Sequence, residues 1–313
     1  AQELAMRVWI SALQTACDDA RIYYDAIGSG GGRNQFIDGA VDFAGSDAAM
    51  DEGEQEEARQ RCDSDVIHLP AYVVPIAVAF NLEGIDSLNL TPDTLARLFS
   101  GDITRWNDPA IAETNPDVDL PDLPVVPVSR SDESGTTENF TAYLAAAAPD
   151  AWHHDPDGQW PFPPVEAGQG NSGVAQAIRG GQGTIGYLEA SHAEGMATVR
   201  VGSGDSFVAP SPESAARIVS VSPRRDSTTP HDHAMELDYS ATEADAYPIV
   251  LVSYEIACLS YADAATAEGV RTFLSYLLSA EGQEAASQES GSAPLDAELR
   301  AELLESVAAI GTH

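Results

Sequence analysis

Val128-Ser129-Arg130-Ser131-Asp132-Glu133-Ser134-Gly135-Thr136-Thr137 is the stretch on which the reading of this chain turns. An apolar run (Val125, Val126, Val128) ends at Arg130, and Thr137-Glu138-Asn139-Phe140-Thr141-Ala142-Tyr143-Leu144 has helical spacing, which together predict a strand, a turn and a helix N-terminus. The first N–H groups of a helix have no partner within it, and the macrodipole adds partial positive charge, so Gly135 and Thr136 should offer amides to an anion. Ser134 and Thr136 add hydroxyl donors, Arg130 a planar and permanently charged fork, and Asp132 stands close enough in sequence to hold that fork. A capped helix beside a surface arginine has the same pattern, so a second element must decide.

That element is Gly28-Ser29-Gly30-Gly31-Gly32. Leu4, Val8, Leu13 and Ala16 recur at helical intervals, so the chain opens on a helix. Arg21 to Ile27 then alternates as a strand into the glycine turn, Asn34-Gln35-Phe36-Ile37 starts the next helix, and Val41-Asp42-Phe43-Ala44-Gly45 is a short strand ending at Ser46-Asp47. Parallel α/β sheets place ligands beyond the carboxyl ends of their strands, which puts Ser29 and Asp47 at one rim, with Gly28 and Gly30 letting the backbone close on a small ion.

The 313 residues, 43% of them hydrophobic, suit two medium lobes better than one core. No apolar run reaches membrane-spanning length, and the chain reads as a soluble, mature one without a signal peptide. A net charge of -35 argues against nucleic acid or an anionic membrane as partner, since the summed field repels both. All fifteen basic residues are arginine, and acidic residues are spread throughout, so the charge reads either as a solvated shell adapted to a salty medium or as drift of composition. Cys17, Cys62 and Cys258 fit no zinc or redox spacing and leave room for one disulfide and one spare thiol. His153-His154 and His231-Asp232-His233 lack further ligand spacing and read as loop histidines, so neither a metal nor a cofactor is expected.

A series of motifs runs through the chain: Ile27-Gly28-Ser29-Gly30-Gly31-Gly32 with Gln35-Phe36, Val41 to Asp47, Leu98-Phe99-Ser100-Gly101-Asp102-Ile103-Thr104-Arg105-Trp106-Asn107, Arg130 to Thr136, Gly183-Thr184-Ile185-Gly186-Tyr187 and Tyr247-Pro248-Ile249. In this order and spacing the chain resembles, over almost its whole length, the periplasmic phosphate-binding component of the phosphate-specific ABC transporter. The resemblance implies a type II periplasmic-binding-protein fold: an α/β protein of two lobes, 1–75 with 249–313 and 76–248, joined by two crossover strands that form a hinge and closing on phosphate. It implies phosphate contacts at Ser29, Asp47, Arg130, Ser134, Gly135 and Thr136, with Asp132 orienting Arg130. It implies a non-enzymatic, monomeric receptor, extracytoplasmic, either periplasmic or tethered to the outer face of the membrane, that delivers inorganic phosphate to a membrane permease. Members of the family begin with a strand and a Gly-x-Gly-x-Ser/Thr-Phe turn that also touches phosphate, whereas Ala1 stands where that turn would end.

Val66 to Pro70 and Val73 to Phe80 supply the outgoing crossover, with bends or edges expected at Pro70 and Pro75. Thr91-Pro92 starts a helix, Phe99 and Trp106 are core candidates, 148–173 reads as a long surface loop, and Gly168 to Gly173 opens a helix at Val174 without the lysine of a nucleotide loop. Val250 to Cys258 is the returning crossover, and two amphipathic helices follow, marked by Val270, Phe273, Leu274, Leu277 and by Leu299, Leu303, Val307, Ile310. In the implied fold the returning strand runs antiparallel to its neighbours and lies beside Val66 to Pro70, which pairs Cys62 with Cys258 and leaves Cys17 free. Two other classes stay open: a phosphatase or esterase using Ser29 or Ser134, although no motif sets a histidine beside either, and an adhesion or inhibitor protein on the same fold.

Overall fold

Helices and strands alternate through the computed structural model, which describes residues 2–16, 21–203, 206–239 and 245–313. In chain order come α1 (Glu3–Ala16), α2 (Ser29–Ile37), β1 (Phe43–Ser46), α3 (Glu52–Cys62), β2 (Val66–Phe80), β3 (Ser87–Leu90), α4 (Pro92–Ser100), α5 (Pro109–Thr114), β4 (Val126–Arg130) and α6 (Gly135–Ala147). Then follow β5 (Glu166–Gly168), α7 (Gly170–Gly180), β6 (Thr184–Glu189), β7 (Ala197–Ser203), β8 (Ser206–Val208) and α8 (Pro212–Val221). β9 (Val250–Cys258), β10 (Ser260–Tyr261), α9 (Ala264–Leu277), α10 (Ala280–Ser290), α11 (Ala297–Ala309) and β11 (Gly311–Thr312) complete the order.

The chain divides into two compact units, Ala1–Val73 with Ser222–Glu236 and Val252–His313, and Val74–Val221 with Leu237–Leu251. The expected second lobe was uninterrupted from 76 to 248, whereas here Ser222–Glu236 belongs to unit 1. A buried carboxylate anchors it there: Asp232 accepts hydrogen bonds from the backbone N–H of His68 (2.9 Å), from Gln55 (3.1 Å) and from Ser227 (3.0 Å).

In unit 1, β1 is antiparallel to β9, in register from Phe43↔Ala257 to Ser46↔Tyr254, and β9 lies between β1 and β2. α1 forms as expected but buries Ala5, Met6 and Trp9 rather than the Leu4, Val8, Leu13 stripe. Trp9 decides the face, because its large ring sits 6.0 Å from that of Tyr72 and its indole N–H donates to Gly282 O at 2.7 Å. The strand expected at Arg21 to Ile27 does not form. No strand pairs with it among the described residues, Tyr23 is 88% exposed, and alternation without a ladder partner leaves the backbone irregular. α2 begins at Ser29, not at Asn34, so the glycines form its first turn. A Cβ on Gly32 would stand 3.2 Å from Gly45 O, and the glycine therefore lets α2 lie against β1. Cys62, at the end of α3, is bonded to Cys258, at the end of β9, across a sequence separation of 196. Cys17 lies outside the described residues. Three helices, not two, follow β9, because α10 intervenes.

In unit 2, β4 is parallel to both β5 and β6, and β6 pairs antiparallel with Ile76 to Phe80 of β2. Ala77, Ala79, Val128, Val174, Ile178 and Leu188 fill one side of this sheet. β2 runs unbroken from Val66 to Phe80 and is buried throughout, so Pro70 and Pro75 do not interrupt it. Pro75 falls just before the residues that pair with β6, where a missing N–H costs the ladder nothing. Thr91 caps α4, and Phe99 and Trp106 are buried, as their positions predict. The segment expected as a loop to Gly173 contains β5, and α7 starts at Gly170, four residues before Val174.

Candidate functional site

In unit 2, β4 delivers Arg130 and α6 begins five residues later. Ser134 caps the helix, its Oγ accepting the N–H groups of Thr136 (3.1 Å) and Thr137 (3.3 Å), while its own N–H donates to Gly158 O at 2.9 Å. Arg130 is only 5% exposed, and its fork is locked: Nε and Nη2 donate to Asp132 Oδ1 and Oδ2 at 2.8 and 2.5 Å. Nη1 reaches Thr136 Oγ1 at 3.3 Å and Asn171 Oδ1 at 3.5 Å. Asp132 Oδ1 also accepts the Gly170 N–H at 3.0 Å, so the start of α7 helps hold it. Burial raises the pKa of Asp132, but the hydrogen bond and charge of Arg130 outweigh it and leave the carboxyl below its usual range. Tyr187 completes the support: its hydroxyl bonds Thr137 Oγ1 at 2.8 Å and accepts the Arg130 N–H at 3.3 Å, and burial pushes it up to about 12. The Thr136 N–H, expected to face an anion, is taken by the Ser134 cap, so this group offers a fixed cation beside a helix start with hydroxyls on Ser134 and Thr136, a chemistry suited to an oxyanion.

In unit 1, Ser29 is the first residue of α2, after Gly28, whose φ of 89° suits glycine alone at low cost. β1 then carries the chain to Asp47, which is 2% exposed. Ser29 Oγ accepts the Asp47 N–H at 3.1 Å, and Ser253 of β9 donates its hydroxyl to Asp47 Oδ1 at 2.6 Å. The backbone after Asp47 is fastened from several sides. Arg33 Nη1 reaches Ser46 Oγ at 3.2 Å, Ser46 Oγ donates to Ala48 O at 2.6 Å, and Arg225 donates to Met50 O at 2.6 Å. The Met50 N–H donates to His68 Nε2 at 3.1 Å, which places the His68 proton on Nδ1, facing Asp232 Oδ1 at 2.8 Å. Burial raises the pKa of Asp232, and the hydrogen bonds from the His68 ring and backbone more than reverse this, holding it well below the usual carboxylate range.

The predicted residues thus form two groups, Ser29 with Asp47 and Arg130 with Asp132, Ser134, Gly135 and Thr136. Gly28 serves as the cap of α2 and Gly30 lies within its first turn. Ser253 and Asn171 were not singled out from the sequence. Ser253 sits in a mostly apolar strand stretch with only its hydroxyl as signal; Asn171 lies in a glycine-rich stretch whose pattern marks a helix start without the lysine of a nucleotide loop. Among the described residues, no group of three or more His, Cys, Asp or Glu could hold a metal ion, and no helix is long and apolar enough to cross a membrane.

Residues 1–281 match the family described as the PBP superfamily domain. Phosphate-binding protein PstS2 of Mycobacterium bovis (strain BCG / Pasteur 1173P2) is 36% identical over 320 residues, covering 99% of this chain and 85% of that protein. The chain belongs to this family. Phosphate-binding protein PstS3 of the same strain is also 36% identical, over 99% of this chain and 84% of the relative. Among solved structures of the superfamily fold, a phosphate-binding protein from Stenotrophomonas maltophilia superposes with a TM-score of 0.74 at 18% identity, over 95% of this chain and 91% of that one. A high affinity periplasmic phosphate-binding protein (PfluDING), bound with phosphate, gives 0.71 at 23%, over 94% and 90%. The fold is therefore the two-unit α/β arrangement of type II periplasmic binding proteins.

Proposed function

We propose that this protein binds inorganic phosphate outside the cytoplasm and delivers it, without turnover, to an ABC-type permease. The observation that carries the reading is the Arg130 fork, held by Asp132 at the N-terminus of α6. The Ser134 and Thr136 hydroxyls and the Gly135 N–H are the donors proposed at that helix start, and Ser29 and Asp47 are the contacts proposed in unit 1. Names of relatives at 36% identity support phosphate as the anion.

Asp47 gives the selectivity. In a chain of net charge -35, the long-range field repels a dianion, so recognition falls to short, dehydrated hydrogen bonds. A carboxylate facing an anion is repulsive unless the anion brings a proton, and monohydrogen phosphate has one where sulfate has none. Sulfate would leave an unbridged pair of oxygens at Asp47, a cost on the order of several kcal/mol. The protein acts as a monomer, in the periplasm or tethered to the outer face of the membrane, and its acidic surface fits a salty medium. Calorimetric titration with phosphate, sulfate and arsenate tests the reading. Tight phosphate binding with weak sulfate binding is expected; equal affinities, or none, would sink it.

A further inference from the structure

Gly45 and Glu255 are directly opposed in the antiparallel register of β1 and β9, so their side-chain positions share one face of the pair. The space a Cβ would take at Gly45 is filled by the Gln2 amide, whose Oε1 stands 2.6 Å from that position. Glu255 therefore has the Gln2 amide beside it, and both residues are buried, 0% and 1% exposed. Gln2 Nε2 is committed to Tyr254 O at 2.8 Å. Gln2 Oε1 and both carboxyl oxygens of Glu255 are left without a hydrogen-bond partner. These are three acceptors with no hydrogen among them, an arrangement that costs free energy in a dry interior and that one proton resolves. Two residues along the same face, Ser253 donates to Asp47 Oδ1.

We infer that Glu255 is a protonated buried acid that donates to Gln2 Oε1, and that as a positioning residue it keeps the face of β1 and β9 behind Asp47 free of a second negative charge. Burial raises its pKa well above the carboxylate range and the Asp47 charge raises it further; Gln2 lowers it only as a donor, and its N–H is committed to Tyr254 O. Among the described residues, Asp47 from the end of β1 is the charged group acting on Glu255; Gln2, ahead of α1, is neutral. Loss of the Glu255 proton would break the contact with Gln2 and set a like charge against both Asp47 and a bound dianion. The effect on ligand rests on the reading of Asp47 as a phosphate contact; the protonation itself does not.

The test is infrared spectroscopy of the full chain together with phosphate titration across pH. The carbonyl stretch of a protonated carboxylic acid is expected at neutral pH in the wild type and absent in Glu255→Gln, whose amide can make the same donation. In Asp47→Asn the band should vanish at lower pH than in the wild type. Across the alkaline range in which phosphate stays the same dianion, wild-type affinity should fall about tenfold as the band disappears, while that of Glu255→Gln changes less than about threefold. No band assignable to Glu255, or parallel pH profiles, would overturn the inference. Should Glu255→Gln not fold, the band in the wild type and its displacement in Asp47→Asn decide. Absence of phosphate binding at every pH, with the band present, would remove the phosphate reading and leave the buried acid standing.

Discussion

Arg130 in unit 2 and Asp47 in unit 1 are buried to nearly the same degree, 5% and 2% exposed, and each stands next to the start of a helix. They are held in opposite ways. Arg130 is gripped by a charged partner through two parallel hydrogen bonds, and that partner is itself tied to a backbone N–H. The bonds described to Asp47 are with serines: the Ser253 hydroxyl donates to Oδ1, and the Asp47 N–H donates to Ser29 Oγ. On the proposed phosphate reading, unit 2 supplies strength, since a fixed positive charge at a helix N-terminus attracts any oxyanion, and unit 1 supplies choice, since a carboxylate facing the ligand favours an anion that brings a hydrogen.

The units differ covalently too, and this difference has the largest expected effect. Cys62–Cys258 fastens α3 to β9 within unit 1, and the loop it closes contains all of unit 2. Replacing both cysteines with serine should lower unfolding free energy by up to about 4 to 5 kcal/mol, the chain-entropy value for so long a loop. Denaturant unfolding measures it. A loss below about 1 kcal/mol would show that unit 1 owes its integrity to packing alone, and a crosslink to Cys17 in non-reducing peptide maps would overturn the pairing.

Arg130→Ala comes next, with an expected loss of at least about 2 to 3 kcal/mol of phosphate affinity, the worth of a charged bidentate contact. Asp132→Asn should cost less, about 1 to 2 kcal/mol, because the charge stays and only its aim is loosened. If Asp132→Asn costs as much as Arg130→Ala, then positioning, not charge, is what unit 2 supplies. Unchanged affinity in Arg130→Ala would remove it from the site.

Asp47→Asn separates strength from choice. Asparagine can donate where aspartate only accepts, so phosphate affinity should fall modestly while sulfate binding rises, narrowing discrimination by about tenfold or more. Competition calorimetry with the two anions reads both changes. Equal losses for both would mean that Asp47 merely supports the backbone around Ser29.

How much of this could be read beforehand differs between the same two regions. The unit 2 half was legible almost residue by residue, because a strand, a cap and an N-terminal turn are local features: Arg130, Asp132, Ser134 and Thr136 lie within seven positions and meet as expected. In unit 1 Ser29 and Asp47 were expected at one rim, and they do meet, but the reason was partly wrong. The strand expected before Ser29 is missing, and α2 starts on the glycines because Gly32 allows it to approach Gly45 O. Ser253, Glu255 and Gln2 escaped notice since their meaning depends on the register of β1 with β9 and on a side chain more than two hundred positions away. The place of Ser222–Glu236 escaped for the same reason: Asp232 and His68 form a buried pair that no spacing announces.

Salt has the smallest expected effect and reaches both units alike. Fifteen arginines face fifty acidic residues, so most carboxylates on the surface have no cation beside them. Exposed pairs among the described residues, such as Arg97–Asp93, Arg7–Glu3, Arg105–Asp122 and Arg224–Glu302, contribute little, and screening weakens them. Self-repulsion from a net charge of -35 is the larger quantity, and the same screening relieves it. Thermal stability should therefore rise from about 0.1 M to about 2 M KCl by more than it does in a neutral homologue. The Arg130–Asp132 pair, with side chains 3% and 13% exposed, is shielded from that screening, so phosphate affinity should change little over the same series once ionic effects on the free anion are subtracted. A flat stability curve would return the acidic surface to drift of composition. A steep loss of affinity with salt would show that unit 2 attracts phosphate through the solvent and not by contact, and would undo the division of labour between the two units.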